Sequence, residues 1–282
     1  LGLTTVEAAE AILKVANSRM AGAIRLVSIE RGFDPKNFAF MPFGGGGALH
    51  AGAMLAEVGI ARAIVPRYPG VTSAMGCVIA DMRQDFVQTI NSRVDMLDEA
   101  ALAAFMHAHV DQGLALLDAA RTNFEARELS FELDMAYVGQ THTVSVPLKV
   151  KTDGSTVAAV TRAEIETAFD ATYKATYGRL LQNGVRRILN LRSAVTGKRP
   201  KFDLSTLAPP EGGRAEKVGV RRVHFGDKWY DTAIYDRLAL PSGTKIVGPA
   251  ILTQPDTTVL IEPHLQGRVD RFGNTIIEPQ EE

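Results

Sequence analysis

Apolar residues recur at helical spacing along the start of the chain. Val6, Ala9, Leu13, Ala16, Met20, Ile24 and Val27 form one stripe. Thr4 with Glu7 fits a capping box, in which hydroxyl and carboxylate satisfy free amides at the helix start, and Gly32 marks a stop. The short apolar run Phe38–Met41, closed by Pro42, reads as a buried strand. Gly44-Gly45-Gly46-Gly47 follows, then a helical stretch to Val58 ended by Gly59, then a second buried strand at Ala63-Ile64-Val65. Strand, glycine turn, helix and strand within about thirty residues predict a βαβ unit with a parallel pair. Pro69-Gly70 is a turn, Ser73–Ala80 a short helix of small residues, and Phe86–Ile90 a strand.

The pattern changes near Asn91. An Ala- and Leu-rich helical stretch from Leu97 to about Arg127 precedes alternating runs at Leu129–Tyr137 and His142–Leu148, joined as a hairpin. A helix is expected from about Arg162 to Thr176 and a strand over Arg186–Val195. Pro209-Pro210-Glu211-Gly212-Gly213 reads as a linker, and short β runs parted by Gly and Pro fill the chain from Lys217 on. The expected class is mixed, α/β and α+β. It divides into residues 1–93, an α+β region at 94–208, and a small all-β module at 209–282.

The glycine quartet is the most pointed local feature. Between a strand and a helix, glycines let backbone amides approach a ligand, and a helix N-terminus favours an anion. The pattern is neither a P-loop nor a dinucleotide fingerprint. Two readings stay open: a nucleotide or phosphate site, and a tight packed turn. His50, in the first turn of the same helix, either faces a ligand or covers the loop. His107 and His109, two apart on a helix, point in different directions and make no metal pair. Cys77 lies among small residues and is expected to be a packed thiol; Asp81, Arg83 and Asp85 read as the polar face of an edge segment. Asp134, Tyr137, Gly139, Gln140, Thr141 and His142 gather at the hairpin, as turn chemistry or as a ligand-facing rim. Asp256-Thr257-Thr258 and Asp270 with Gly273-Asn274 are expected to be structural turns.

Composition narrows the function classes. The chain has 282 residues, 31 Lys+Arg against 32 Asp+Glu, a net charge of −1 and one Cys. The balanced charge argues against nucleic-acid binding, which shows a basic excess or stripe. A single cysteine excludes an intrachain disulfide and fits a reducing, cytoplasmic setting. No run of about 18 apolar residues exists to span a membrane as a helix.

Several motifs in order resemble the hydantoinase A/oxoprolinase family. They are Gly32-Phe33-Asp34-Pro35, Phe43 through Ala51 with the glycine quartet, Pro69-Gly70-Val71-Thr72-Ser73-Ala74-Met75-Gly76 and Ala80-Asp81. Asp134-Met135-Ala136-Tyr137-Val138-Gly139-Gln140 is similar to the family's Asp-x-Arg-Tyr-x-Gly-Gln. Tyr177-Gly178, Leu191-Arg192 and Gly248-Pro249-Ala250-Ile251 also match, so the likeness covers nearly the whole chain. Two departures stand out. The family's Gly-Gly-Ala-Gly-Pro-Leu-His carries Gly46 for its alanine and Ala48 for its proline here, and Ala136 replaces its arginine.

The family includes the A subunits of N-methylhydantoinases, 5-oxoprolinases and the related acetone and acetophenone carboxylases. The resemblance implies the C-terminal part of an actin/Hsp70-like ATPase fold over the first ninety or so residues, with Gly44, Gly45, Gly46 and Gly47 against the nucleotide. It implies ATP and Mg²⁺ as cofactors, His50 as the candidate catalytic group, and a hydantoinase B-type partner in an oligomeric assembly. The implied reaction is ATP-dependent opening of a small cyclic amide by phosphorylation of its oxygen, which makes the carbonyl carbon open to water. The alternatives are a non-catalytic scaffold docking the partner, and a ketone carboxylase subunit. The family's early phosphate-binding turn is not among these residues. Starting at Leu1, the chain is therefore expected to be a C-terminal region or separately encoded piece, inactive alone.

Overall fold

The computed structural model describes residues 2–153, 156–209 and 214–281. Helix α1 (Thr5–Val27) opens on the expected capping box: the Thr4 amide donates to Glu7 Oε2 at 2.7 Å, and the Glu7 amide to Thr4 Oγ1 at 3.3 Å. A 3₁₀ turn (Ile29–Arg31) follows and ends on Gly32 in the left-handed conformation, and a second (Pro35–Asn37) leads to the first strand. Then come β1 (Ala39–Phe40), α2 (Ala51–Val58), β2 (Arg62–Val65), α3 (Thr72–Ile79), β3 (Met82–Arg93) and α4 (Glu99–Ala119). They are followed by β4 (Ala126–Tyr137), β5 (Val144–Leu148), β6 (Thr152–Asp153), β7 (Thr156–Val157), α5 (Arg162–Tyr177) and β8 (Arg186–Lys198). The chain closes with β9 (Lys217–Phe225), β10 (Lys228–Asp236), β11 (Lys245–Val247), β12 (Ala250–Gln254), β13 (Thr257–Ile261), β14 (Leu265–Val269) and β15 (Thr275–Pro279). Residues 210–213 of the expected linker lie outside the described residues.

Strand pairing groups the chain differently from the expected division at 93 and 209. One compact unit joins Leu1–Val78 with Phe202–Glu282; the other is Ile79–Lys201. The reason is register. β3 zips antiparallel along β8 from Met82 with Gly197 to Arg93 with Arg187, so it belongs with the middle of the chain. The C-terminal β runs are not a separate module, because β15 pairs antiparallel with β2 and completes a sheet in the order β1-β2-β15-β14-β11.

In the first unit, β1 and β2 run parallel as the βαβ reading requires. A second sheet, β13-β12-β10-β9, packs its apolar side chains against the first and against α2. Leu55, Ala63, Val65, Leu252, Val259, Ile261, Leu265 and Ile277 share this core. β1 is shorter and less covered than expected: Phe38 is 52% and Met41 51% exposed, and Phe40 is half-buried. The stripe of α1 is likewise only partly covered. Met20 and Ile24 are half-buried where α2 lies, whereas Leu13 and Val27 are exposed.

The second unit is an open-faced α+β layer. Sheet β3-β8-β4-β5 carries α4 and α5 on one face, with Leu102, Met106, Val110, Ile165 and Phe169 buried against Leu133, Met135, Val146, Ile188 and Leu191. The other face is polar and holds the Arg83–Asp85 ion pair at 2.8 Å. The hairpin of β4 and β5 is the one the alternation predicts.

One buried side chain ties the first unit's two halves together. Arg237, only 4% exposed, donates from Nε to Thr275 Oγ1 (3.1 Å), from Nη1 to the Arg67 carbonyl (2.8 Å) and Gln254 Oε1, and from Nη2 to the carbonyls of Val65 (2.9 Å) and Pro66 (2.6 Å). A guanidinium has five N–H donors, and five acceptors meet them. Burial, and then the like charge of Arg67, pull its pKa down to about 10, with Asp256 acting in the opposite sense; it stays charged at neutral pH. Replacing Arg237 by Met strands buried carbonyls, each costing about 1–3 kcal/mol. The expected loss of stability is roughly 3 kcal/mol or more, read from the urea midpoint. Arg237→Lys, with three donors for five acceptors, recovers less than half of it. A neutral Met variant would overturn the assignment.

Candidate functional site

The glycine quartet is held from two sides. Gly44 has φ +82°, a conformation open chiefly to glycine, and its amide donates to the Pro69 carbonyl at 2.7 Å. The Gly45 carbonyl accepts from Thr257 Oγ1 at 3.0 Å. Between these contacts sits Asp256, in the turn from β12 to β13. Its Oδ2 accepts from the Gly70 amide at 2.8 Å, and its Oδ1 accepts from Gln254 Nε2. A Cβ at Gly70 would lie 2.5 Å from that carboxylate oxygen, so the close approach requires glycine there. Three loops, 44–46, 68–70 and 255–257, thus converge. Of the residues expected to be structural turns, Thr257 bonds the glycine loop directly and Asp256 bonds the 68–70 loop whose Pro69 carbonyl holds Gly44.

The loop leaves chemistry available. Gly45 and Gly46 are exposed, and among the described residues no acceptor pairs with their amides. No heavy atom lies within 4 Å of where a Cβ of Gly46 would stand. Phe43 (50% exposed) and Leu49 (42%) flank these amides with apolar surface. Such a loop can donate hydrogen bonds to an acceptor edge while a flat apolar body rests alongside.

His50 is placed differently from expectation. Gly47–His50 form a 3₁₀ turn, and α2 begins at Ala51, so His50 is the cap of that helix and not part of its first turn. A proline would have suited a helix start; Ala48 instead lets the tighter turn intervene. Nδ1 of His50 lies 2.7 Å from Asn17 Oδ1 on α1. An oxygen there accepts, so the neutral ring carries its proton on Nδ1 and leaves Nε2 as the base. The start of α2 is also not an open anion site. The Glu262 carboxylate fills the space beside Gly52, with Oε1 2.4 Å from where a Cβ would be. Burial raises the pKa of Glu262, and His264 lowers it to a smaller extent.

The remaining candidates resolve one by one. Cys77 is exposed, not packed, because α3 has no fully buried residue. His109 stacks on Phe86 at 5.2 Å and meets Ser193 Oγ at 2.9 Å, and burial lowers its pKa; this is a packing role. Asp81 pairs with Lys198 at 2.9 Å. Asp134 is 7% exposed: burial alone would raise its carboxyl, but hydrogen bonds from Arg192 and Asn190, each 2.9 Å, hold it below the usual value. The neighbouring Ala136 is 2% exposed. Asp270 closes its turn by accepting from the Phe272 and Asn274 amides at 2.8 Å, as the sequence suggests. Among the described residues no group of three or more His, Cys, Asp and Glu could hold a metal ion, and no helix is long and apolar enough to cross a membrane.

Parallel strands flanking a clamped glycine turn define an α/β unit, followed in sequence by an open-faced α+β layer. The sequence matches Hydantoinase/oxoprolinase over residues 1–86 and the Hydantoinase/oxoprolinase C-terminal domain over residues 99–278. The chain belongs to the hydantoinase/oxoprolinase family. It is 28% identical over 270 residues to caprolactamase subunit alpha of Pseudomonas jessenii, covering 93% of this chain and 38% of that one. It is 27% identical to 5-oxoprolinase 1 of Arabidopsis thaliana, over 98% of this chain and 21% of that one. Its fold is that of part of nucleotide-free acetone carboxylase, with a TM-score of 0.74 at 22% identity over 99% of this chain and 41% of the other. The chain thus spans about two-fifths or less of these relatives. The caprolactamase is named as ATP-dependent, as is the acetone carboxylation.

Two outcomes follow from this geometry. Thr257→Val keeps the shape of a buried side chain but loses its bond to Gly45, so stability should fall by about 1 kcal/mol. Hydrogen exchange of the Gly44 amide should accelerate more than that of β14; equal exchange rates before and after would sink the clamp. Glu262 has a raised folded pKa, so its stabilising contribution is complete below the unfolded value and is lost as pH rises through the folded one. Glu262→Gln should therefore match the parent in acid and melt higher at neutral pH; parallel melting curves across that range would contradict it.

Proposed function

We propose that this chain is the C-terminal region of an ATP-dependent enzyme that opens a small cyclic amide, of the hydantoin, N-methylhydantoin or 5-oxoproline kind. The observation that carries the reading is the clamped loop with unpaired amides at Gly45 and Gly46. In this reading residues up to about 90 are the end of an actin/Hsp70-like ATPase fold, and Gly44, Gly45, Gly46 and Gly47 contact the nucleotide.

The residues present fit one part of that ligand better than another. With the Glu262 carboxylate at the first turn of α2, the helix dipole is not free for a polyphosphate. The two loop amides and the apolar flank of Phe43 and Leu49 suit the acceptor edge and face of a nucleobase. ATP, when bound, supplies the phosphoryl group that activates the amide oxygen. Mg²⁺ accompanies it on the phosphates, as Mg²⁺ commonly does, without a dedicated protein cage. His50, its Nδ1 proton held by Asn17, keeps Nε2 as a hydrogen-bond acceptor beside the loop, and this is the atom through which it would act on a polar ligand group. The whole enzyme works in an oligomeric assembly with a hydantoinase B-type partner in the cytoplasm. A site assembled from only one wall binds weakly, because the opposing contacts are missing.

The test is calorimetric titration with Mg-ATP of this chain and of any longer polypeptide that contains it. Gly46→Val is the informative variant, since it projects into open space and leaves the clamps alone. It should weaken Mg-ATP by about tenfold or more while the melting temperature stays within a few degrees. Turnover of the longer polypeptide with hydantoin, N-methylhydantoin, 5-oxoproline and acetone plus bicarbonate assigns the reaction. Equal binding by parent and variant would remove the glycine loop from the site, and a longer polypeptide that neither bound nor hydrolysed ATP would end the reading.

A further inference from the structure

The second compact unit contains a cavity of ≈ 440 Å³ where the turn between β4 and β5 meets the end of α5. Its walls include Gln140, His142, Tyr173, Tyr177, Arg179 and Leu181. We propose that this cavity binds a small planar organic carboxylate.

The apolar wall is a ladder of aromatic rings running from core to surface. Tyr137 packs on Phe169 at 5.0 Å and on Tyr173 at 4.8 Å, and Tyr173 packs on Tyr177 at 4.6 Å. Tyr173 is 5% exposed and Tyr177 is 50% exposed, so the ladder ends in a ring face open to a ligand. A flat, weakly polar body stacks on such a face.

The polar groups are fixed before any ligand arrives. Gly139 turns the chain with φ +92°, and Gln140 folds back so that its Oε1 accepts from the Tyr137 amide at 3.2 Å. Gln140 Nε2 then donates to the Tyr173 hydroxyl at 2.8 Å. A phenol that accepts this bond keeps its own proton to donate. Among the described residues no acceptor is recorded for it. The turn chemistry and the ligand-facing rim, both open from the sequence, are therefore one arrangement: Gln140 builds the turn and primes Tyr173.

Charge selects the ligand class. Arg179 and His142 stand at the cavity; among the described residues no acidic side chain lines it and no carboxylate pairs with Arg179. A free guanidinium fork matches a carboxylate in two parallel hydrogen bonds. The last turn of α5 contributes a partial negative charge at its C-terminus, which tempers the pull on an anion. One cation set against that field suits a singly charged carboxylate better than a doubly charged phosphoryl group. The site is built from residues other than the glycine loop, and it stands or falls apart from the ATP reading.

Sodium benzoate is the probe, titrated into the full chain by calorimetry and by saturation-transfer NMR. Saturable binding is expected, with benzyl alcohol at least about tenfold weaker because it lacks the charge. Arg179→Gln should weaken benzoate by about tenfold, and Tyr177→Ala by a few-fold, with unchanged melting temperatures since both residues are exposed. Equal affinity for benzoate and benzyl alcohol, or an unaffected Arg179→Gln variant, would overturn the proposal. So would tighter binding of phenyl phosphate, and so would the absence of saturation.

Discussion

The first compact unit depends on one buried cation. Arg237 is surrounded by backbone carbonyls, a hydroxyl and an amide oxygen, and among the described residues no carboxylate hydrogen-bonds it. Taking a guanidinium out of water costs several kcal/mol, and only complete hydrogen bonding offsets that cost. This asymmetry explains the choice of side chain. A lysine ammonium is more strongly hydrated and offers fewer donors, whereas a planar fork can reach the carbonyls of Val65, Pro66 and Arg67 at once. Those three residues are where β2 leaves its sheet, so the cation fixes the direction in which the chain departs toward Pro69 and Gly70.

From that point the constraint passes outward through polar contacts. Gln254 receives one Arg237 proton and in turn donates to Asp256; Asp256 holds the Gly70 amide; the Pro69 carbonyl holds the Gly44 amide; and Thr257 holds the Gly45 carbonyl. Each bond is modest by itself, about 1 kcal/mol net. Their joint effect is to specify a loop that glycine composition alone would leave loose, since glycine loses the most conformational freedom on ordering. Part of the rigidity of this loop comes from Thr257, 212 positions along the chain from Gly45.

That distance marks the limit of what the sequence discloses. Helix spacing, the capping box at Thr4, the βαβ order and the β4–β5 hairpin rest on contacts within a few residues or on repeated periodicity, and such signals are local. The order of motifs also identified the family. Sheet membership was not legible: nothing near Phe86 announces a partner at Ser193, and nothing near Val65 announces Thr275. Arg237 sits in an unremarkable Tyr-Asp-Arg-Leu stretch, and Asp256 resembles any turn aspartate. Burial misled at Cys77 and Phe38, where apolar or small neighbours in sequence are not neighbours that cover the residue in space. His50 was displaced for a smaller reason. A glycine-rich start without proline admits a 3₁₀ turn, which moves the helix cap by several positions.

The electrostatics of the loop follow from the same folding constraint. A strand–glycine–helix unit is commonly read as an anion cradle, because the helix start and the loop amides add their fields. Here the two contributions are separated. The β13–β14 connection brings the Glu262 carboxylate beside Gly52 in the first turn of α2, while Gly45 and Gly46 are exposed and among the described residues no acceptor pairs with their amides. Burial raises the pKa of that carboxyl, so its surroundings resist the charged form and do not welcome a second anion. What remains of the cradle is two hydrogen-bond donors beside apolar surface, a combination that on the proposed reading suits the shape and edge of a neutral group more than net charge. If the loop holds a ligand as proposed, its selectivity lies in which acceptor can reach both amides without meeting Asp256.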